Sequence, residues 1–435
     1  MAQQFLNKKT HPFYFLSQSG ERKKYILIYG DEVDTLAGPA PGGAGWQKVI
    51  YRGREGEMET APLSPTRPLE MYFLDVGQGD AAFIVTPSDE KILVDGGLND
   101  RALGFLIWKY RLDDPNNEVT IDHMIVSHGD DDHISGLIPV LKHSRIHVNN
   151  ILHNGIAVFS SGFNESLGNV DAQDRLTTLH DTTADLAGLD LSNTHDKWIQ
   201  EVNASGAAYH AVHSNTPDLV LQDIKLEILG PLLEPGGAAV EWFDGKGPTI
   251  NGHFIVLRLV HDNVRVLFTG DINEKGAKHL MSEYTIAQQL DSHVLKAPHH
   301  GSHDFYQPFL EAIKPMITVV SSGDDPDYGH PRAVFLGGVG LVGRGRDPLL
   351  FSTEIAATFL DENDPHTVAM AILEEPSTLG DLDFSEHSDN NIARLRFKQV
   401  LPGIINVRSS GEKLFAARRI DSWYQWESYE PRSVT

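Results

Sequence analysis

Ser127-His128-Gly129-Asp130-Asp131-Asp132-His133-Ile134-Ser135-Gly136-Leu137 places two imidazoles and three carboxylates within six residues, from His128 to His133. The apolar run Met124-Ile125-Val126 leads into it and Leu137-Ile138-Pro139-Val140-Leu141 follows. The pattern predicts a buried strand, a tight polar turn and the start of a helix. Ionisable groups at this density repel and desolvate one another unless a partner of opposite charge is present. A pair of divalent cations supplies that charge. The spacing His-x-Asp-x-Asp-His puts alternate side chains on one side of an extended turn, and the last Asp and His then diverge toward a second ion.

The rest of the sequence bounds what such a site can belong to. A chain of 435 residues suits one large elaborated domain, or two to three domains. Its formal net charge of -24 is spread along the sequence. That disfavours nonspecific binding of nucleic acid or anionic membrane by the surface at large. It leaves room for a phosphate-bearing substrate, because bound metals invert the sign locally. With no cysteine there are no disulfides and no thiolate sites, so any metal sits among nitrogen and oxygen ligands. The N-terminus lacks a signal-peptide pattern and no run approaches roughly 18 uninterrupted apolar residues. A soluble, cytoplasmic protein with no membrane association is the expectation.

Residues 1–67 read as an N-terminal β-rich module and linker, with strand-like Lys24-Tyr25-Ile26-Leu27-Ile28-Tyr29 and prolines at Pro62, Pro65 and Pro68. Residues 68–345 read as the main domain. An insertion at about 155–225, rich in Asn, Ser and His, is expected to pack over the site and shape substrate access. Residues 346–435 read as a C-terminal β extension, with strand-like stretches at 367–374, 392–397 and 404–407. Its aromatics Trp423, Trp426 and Tyr429 are expected to dock on the core.

Within the main domain strands alternate with helices, which predicts an α/β sandwich. Polar groups recur at the strand ends, where α/β folds keep their sites. They are Leu74-Asp75-Val76-Gly77-Gln78-Gly79-Asp80, Val94-Asp95-Gly96-Gly97, Phe268-Thr269-Gly270-Asp271, Pro298-His299-His300-Gly301-Ser302 and Tyr328-Gly329-His330-Pro331. Asp95 suits the orientation of a metal-bound histidine. The Gly77-Gln78-Gly79 segment lacks the third glycine and following helix of a nucleotide loop, and reads as a tight strand-end turn.

In this order the motifs resemble the metallo-β-lactamase superfamily, and within it the hydrolase domain of the ComEC competence proteins, across residues 70–341. The resemblance implies an αββα sandwich with a dinuclear site at one edge. His128 and Asp130 hold one ion, Asp132 and His133 the other, and Asp271 bridges them. The remaining ligand of the second ion is His300 or, one strand later, His330; the former is preferred. His299 and His330 then face the substrate's phosphate or leaving group. His253, in the turn Asn251-Gly252-His253, is carried as an extra ligand of the first ion, against a preferred reading as a structural histidine. A carboxylate at 130, where a histidine is commoner, makes Mn²⁺ plausible beside Zn²⁺.

The resemblance leaves out residues 1–67, much of the insertion and the C-terminal extension. It also lacks the membrane channel of ComEC, so a soluble relative is expected and not a DNA-uptake protein. The implied activity is phosphodiester hydrolysis, on a nucleotide or a single-stranded nucleic acid, through a metal-bridging hydroxide. Asp132 is expected to be essential. Ser302 and the amides near Gly301 are expected to bond a non-bridging oxygen, with Lys296, Lys246 and Arg332 as nearby cations. Hydrolysis of a lactone, thioester or other ester is the alternative on the same fold. An interaction or effector protein with a metal site, docking a protein partner through its terminal segments, is the third reading.

Overall fold

In the computed structural model, residues 2–17, 19–284, 289–323, 329–345, 347–353, 403–419 and 426–434 are described. The strand Leu69–Phe73 is buried at every position, as a strand covered on both faces must be. It lies inside a ten-stranded sheet. From one edge this sheet runs Ala208–Ala211, Ile146–His153, Val119–Val126, Lys91–Val94, Ala82–Val85, Leu69–Phe73, Ile405–Ser409, Lys413–Arg419 and Trp426–Ser428, with Arg432–Ser433 also on Lys413–Arg419. A second, seven-stranded sheet runs Leu219–Val220, Lys225–Ile228, Leu257–His261, Val264–Phe268, Val294–Lys296, Ile317–Val320 and Leu349–Ser352.

The two sheets face each other across a core in which Met71, Phe73, Ile84 and Ile125 meet Leu257, Val266, Phe268 and Val294. The Phe73 and Phe268 rings stack at 5.9 Å. Each such side chain contributes about 1.5–3 kcal/mol by leaving water. The outer face of the first sheet is covered by the helices Arg101–Tyr110, Leu137–Lys142 and Asn193–Ser205. Glu274–Glu283, Gln307–Ile313 and Ala333–Val342 cover the second. The layers are therefore α, β, β and α, the sandwich expected from the sequence. Among the described residues no helix is long and apolar enough to cross a membrane.

The 155–225 segment is woven into this frame. Its strand Ala208–Ala211 extends the first sheet, pairing in parallel with Ile146–His153. The helix Asn193–Ser205 starts at Ser192, whose side chain accepts from the His195 amide, and stops at Gly206 in the left-handed region. His195, Trp198, Ile199 and Val202 form its buried face, at the three- and four-residue spacing of a helix packed on a sheet.

Residues 2–64 form a separate seven-stranded sheet around Phe13, Leu27, Val49 and Met58. The strand Ile405–Ser409 pairs antiparallel with Leu69–Phe73, Val407 opposite Met71, so the chain's end completes the first sheet. Tyr429 packs edge-on against Phe351 and Trp426 is half-buried on the core. The strand-like stretches 367–374 and 392–397, and Trp423 and Tyr328, lie outside the described residues.

Candidate metal centre

The strand Val119–Val126 delivers Ser127 and His128 to the sheet edge, where the Ser127 carbonyl accepts from the Ile255 amide at 3.1 Å. Asp130 is extended (φ -77°, ψ 152°) and precedes a one-turn helix, Asp131–Ile134. This corrects the extended turn read from the sequence, since the helix begins at Asp131. Successive helical side chains diverge by about 100°. Asp132 therefore turns toward an open cavity, with its side chain 22 % exposed, while His133 is fully buried. Two glycines permit this approach. Gly79 (φ +97°) lies so close that a Cβ would sit 1.8 Å from the Asp132 carbonyl, and one on Gly136 would sit 2.0 Å from that of Gly96.

Asp132, His133, Asp271 and His300 converge, each offering a ligand atom within 4.8 Å of the others. Asp271 Oδ2 lies 3.3 Å from His133 Nε2 and 3.0 Å from His300 Nε2. His128 adjoins them, its ring 4.1 Å from that of His133 and its Nε2 3.6 Å from Asp130 Oδ2. Phe254 lies against both imidazoles, at 4.5 and 5.5 Å. Both ring nitrogens of His128 and Asp271 Oδ1 are buried without a hydrogen bond. Each such atom left unmade costs about 1–3 kcal/mol. A buried set of imidazole nitrogens and carboxylate oxygens with no thiolate fits divalent cations of the zinc or manganese kind.

Carboxylates brace the histidines from behind. His133 Nδ1 donates to Asp95 Oδ2 at 3.0 Å, and the Ser127 amide donates to Asp95 Oδ1 at 2.9 Å. His300 Nδ1 donates to the Ser321 carbonyl at 3.0 Å and lies 3.3 Å from Asp80 Oδ1. Such partners fix which ring nitrogen is free to bind metal. Asp95 stands where the sequence put it. Asp80 was missed, although its place at a strand end before an apolar strand is the same signal that picked out Asp95. Lys296 was expected to reach substrate, but it is buried, ion-paired with Asp80 and 3.8 Å from Asp271 Oδ1.

Burial pushes both His133 and His300 down, but the surrounding acids outweigh it. Asp271, Asp132 and Asp95 hold His133 well above the usual imidazole range. Asp271 and Asp80 raise His300 to about 10. Both are thus protonated at pH 7 when no metal is bound, and the His300 pairing stabilises the ion-free fold below about 6.5 and loses that effect as pH rises through about 10. A metal ion must displace these protons. Filling the site at pH 7 is expected to release about two protons, read by calorimetric titration in buffers of different ionisation enthalpy. Release near zero would mean the imidazoles are already neutral.

The cavity above the cluster has a volume of about 630 Å³, and Asp130, Asp132, Lys246, Asn251, His299 and His330 line it. His299 and His300 occupy left-handed backbone conformations (φ 44° and 52°), which turn the consecutive rings to different tasks. The structure brings His300, and not His330, into the cluster with Asp271. The His330 ring stands 6.3 Å from that of His300 and 5.9 Å from that of His299, on the cavity wall. Ser302 is turned inward, its hydroxyl accepting from the Asp304 amide at 3.2 Å. It braces its loop and is not among the residues that line the cavity.

His253 is also placed elsewhere. Its Nε2 donates to the Glu241 carbonyl at 2.6 Å and its ring stacks on Phe243 at 4.8 Å. From the same turn Asn251 reaches the cavity instead, with its Oδ1 buried and without a hydrogen bond. The preferred sequence reading of His253 as a structural histidine matches this placement, and the cavity-facing Asn251 of the same turn was not singled out. Exposed Asp131 lies on the cavity rim. His153 stacks with both Tyr209 and His180, at 3.9 and 4.6 Å, in a structural role.

Comparison with known proteins identifies the family. Residues 74–321, more than half of the chain, match the family described as Metallo-beta-lactamase superfamily. The chain is 40% identical over 82 residues to "Competence protein ComA" of Neisseria gonorrhoeae, covering 19% of this chain and 12% of that protein. It is 22% identical over 285 residues to "ComE operon protein 3" of Bacillus subtilis (strain 168), covering 60% of this chain and 29% of that protein. It therefore spans less than a third of either relative's length. Similar solved structures include a CmlA beta-hydroxylase mutant (TM-score 0.33, 11% identity, 59% of this chain and 46% of that one). Another is the Rm3 metallo-beta-lactamase (TM-score 0.29, 14% identity, 62% of this chain and 87% of that one). By its ordered motifs, its layered sheets and the residues gathered at their edge, the chain belongs to the metallo-β-lactamase superfamily, as a relative of its ComEC-type hydrolases.

Proposed function

We propose that the protein is a metal-dependent phosphodiesterase acting on a nucleotide or a single-stranded nucleic acid. The observation that carries this reading is the buried donor set at the floor of a cavity whose wall bears Lys246, His299 and His330. Two divalent cations, when bound, supply a water of lowered pKa and a positive field for the phosphoryl oxygens. His128 and Asp130 would hold one ion, and Asp132, His133 and His300 the other, with Asp271 a ligand shared between them.

The chain's own groups do the rest. Burial pushes His299 down, and burial with His300 and His299 lowers His330 to about 4, so both are neutral at pH 7. A neutral imidazole carries one N–H, which donates to the leaving oxygen without adding repulsion to the ions. Lys246, exposed at the rim, attracts a second phosphate of the substrate. On a chain of net charge -24 this grip is local, which favours a small or single-stranded substrate over duplex.

The test is a substrate panel with the Mn²⁺- and Zn²⁺-loaded protein. Bis-p-nitrophenyl phosphate, nucleotides, single-stranded DNA and RNA stand against lactone, thioester and β-lactam substrates. Turnover confined to the phosphodiesters is expected, with Asp132→Ala reducing it by about 10²–10³-fold. Turnover of the lactone or thioester alone would move the protein to the other class.

A further inference from the structure

The second-ion histidines each have a carboxylate behind them, Asp95 for His133 and Asp80 for His300. Asp130, proposed to hold the first ion, has no such brace on its own turn. Its carboxylate lies 3.6 Å from His128, itself a proposed ligand. A carboxylate ligand that is half-exposed and unsupported binds metal poorly, since its geometry must be ordered as the ion arrives.

Against this same turn lies a side chain that the chemistry above leaves unused. His195, on the buried face of the helix Asn193–Ser205, is 3% exposed. Neither of its ring nitrogens has a hydrogen-bond partner, and both are buried. Its ring touches the backbone between His128 and Asp130. A Cβ built on Gly129 would meet His195 Cε1 at 3.0 Å and Nδ1 at 3.3 Å. Burial, with His180 and Lys246, keeps the imidazole neutral, and Asp130 is the carboxylate whose charge reaches it. A neutral imidazole carries one N–H wherever its tautomer places it, and leaving that donor unpaired costs about 1–3 kcal/mol. An apolar residue at this position of the helix would avoid that cost, as Trp198, Ile199 and Val202 do on the same face.

We propose that His195 is a positioning residue of the metal centre: it packs on Gly129 and offers its ring N–H to Asp130 as that carboxylate turns toward the first ion, holding it there. The inference rests on the dinuclear reading of the site. It gives the 155–225 segment a role in metal binding, beyond shaping access, and makes the first ion depend on a helix outside the strand-end motifs.

The test uses the full chain and Mn²⁺ alone, with no substrate. Equilibrium dialysis and electron paramagnetic resonance are compared for the wild type, His195→Leu, His195→Gln and Gly129→Ala. Two bound ions with a spin-coupled signal are expected for the wild type. In His195→Leu one ion is expected to bind about 10–100-fold more weakly, with the coupled signal replaced by that of an isolated ion. The thermal midpoint of the ion-free protein is expected to be unchanged or raised. His195→Gln keeps an N–H donor and is expected to recover part of the lost affinity. Gly129→Ala, which displaces the ring from the other side, is expected to weaken the same ion.

Two ions held by His195→Leu as tightly as by the wild type would overturn the proposal while leaving the dinuclear site standing. So would equal loss of both ions in all three variants together with a lowered ion-free midpoint, since that marks a packing role. A wild type that takes up no Mn²⁺ and no other divalent ion would instead remove the metal centre itself.

Discussion

Asp271→Asn is expected to lower hydrolysis about 10³-fold or more and to reduce bound metal from two ions to one or none. The reasoning begins with position. Asp271 follows the strand Val264–Phe268 and lies within 3.3 Å of both His133 and His300 while Lys296 stands 3.8 Å away. It is 4% exposed, yet the surrounding imidazoles hold it well below the usual carboxylate range against a burial that would raise it. An amide of the same shape keeps the packing and removes the negative charge. On the proposed dinuclear reading, the two cations would then lose the group that screens their repulsion. A loss of about 4 kcal/mol of charge stabilisation corresponds to that thousandfold change. Metal analysis alongside turnover checks it: a variant retaining two ions and near-normal rates would show that Asp271 does not bridge.

The largest stability effect is expected far from the metals, at Arg408. This side chain is 2% exposed and joins three parts of the chain. Its Nη2 donates to Asp31 Oδ1 at 2.8 Å and its Nη1 to the Tyr29 carbonyl, both in the turn between two strands of the N-terminal sheet. It also reaches the Tyr72 hydroxyl at 3.3 Å and lies 3.9 Å from Glu70, on the strand Leu69–Phe73. Lys109 and Arg67 complete the surroundings of Glu70, at 3.1 and 3.0 Å.

Arg408→Ala leaves Asp31 and Glu70 buried with a cation missing, and is expected to destabilise the protein by about 3–5 kcal/mol. Urea unfolding measures the loss, and limited proteolysis between residues 64 and 69 is expected to accelerate. Burial would raise Glu70, but Lys109, Arg408 and Arg67 hold it far below the usual carboxylate range. The network's stabilisation is therefore present above about pH 4.5 and is lost as pH falls further, so acid unfolding should begin earlier in the variant. A change under about 1 kcal/mol would mean that the network is solvated and holds nothing together.

Taken alone, the sequence determined which donor groups are available to the site. Residues 127–137 concentrate nitrogen and oxygen donors over one turn, a feature with no apolar explanation. Asp95, Asp271 and His299-His300 end apolar runs, so a strand reading carries each of them to a sheet edge. The layered fold was legible for the same reason, because alternation of apolar runs and Gly turns is local information. It also showed the N-terminal module, whose short strands are joined by turns that the sequence spells out.

What the tertiary structure alone decided concerns direction and distance. His300 and His330 both end strands, and only the left-handed backbone at His300 brings one of them to Asp271. Asn251 and His253 share a turn, but the short helix Lys246–Gly252 points the first at the cavity and leaves the second against Phe243. Lys296 reads as a free cation until its strand is seen to be buried on both faces, with Asp80 beside it. Ile405–Ser409 finds Leu69–Phe73, and His195 finds Gly129, across stretches of chain over which no periodicity runs. Sequence pattern records which face of an element is apolar. Helix rotation and sheet register, set by the packing of whole layers, choose which polar groups then meet.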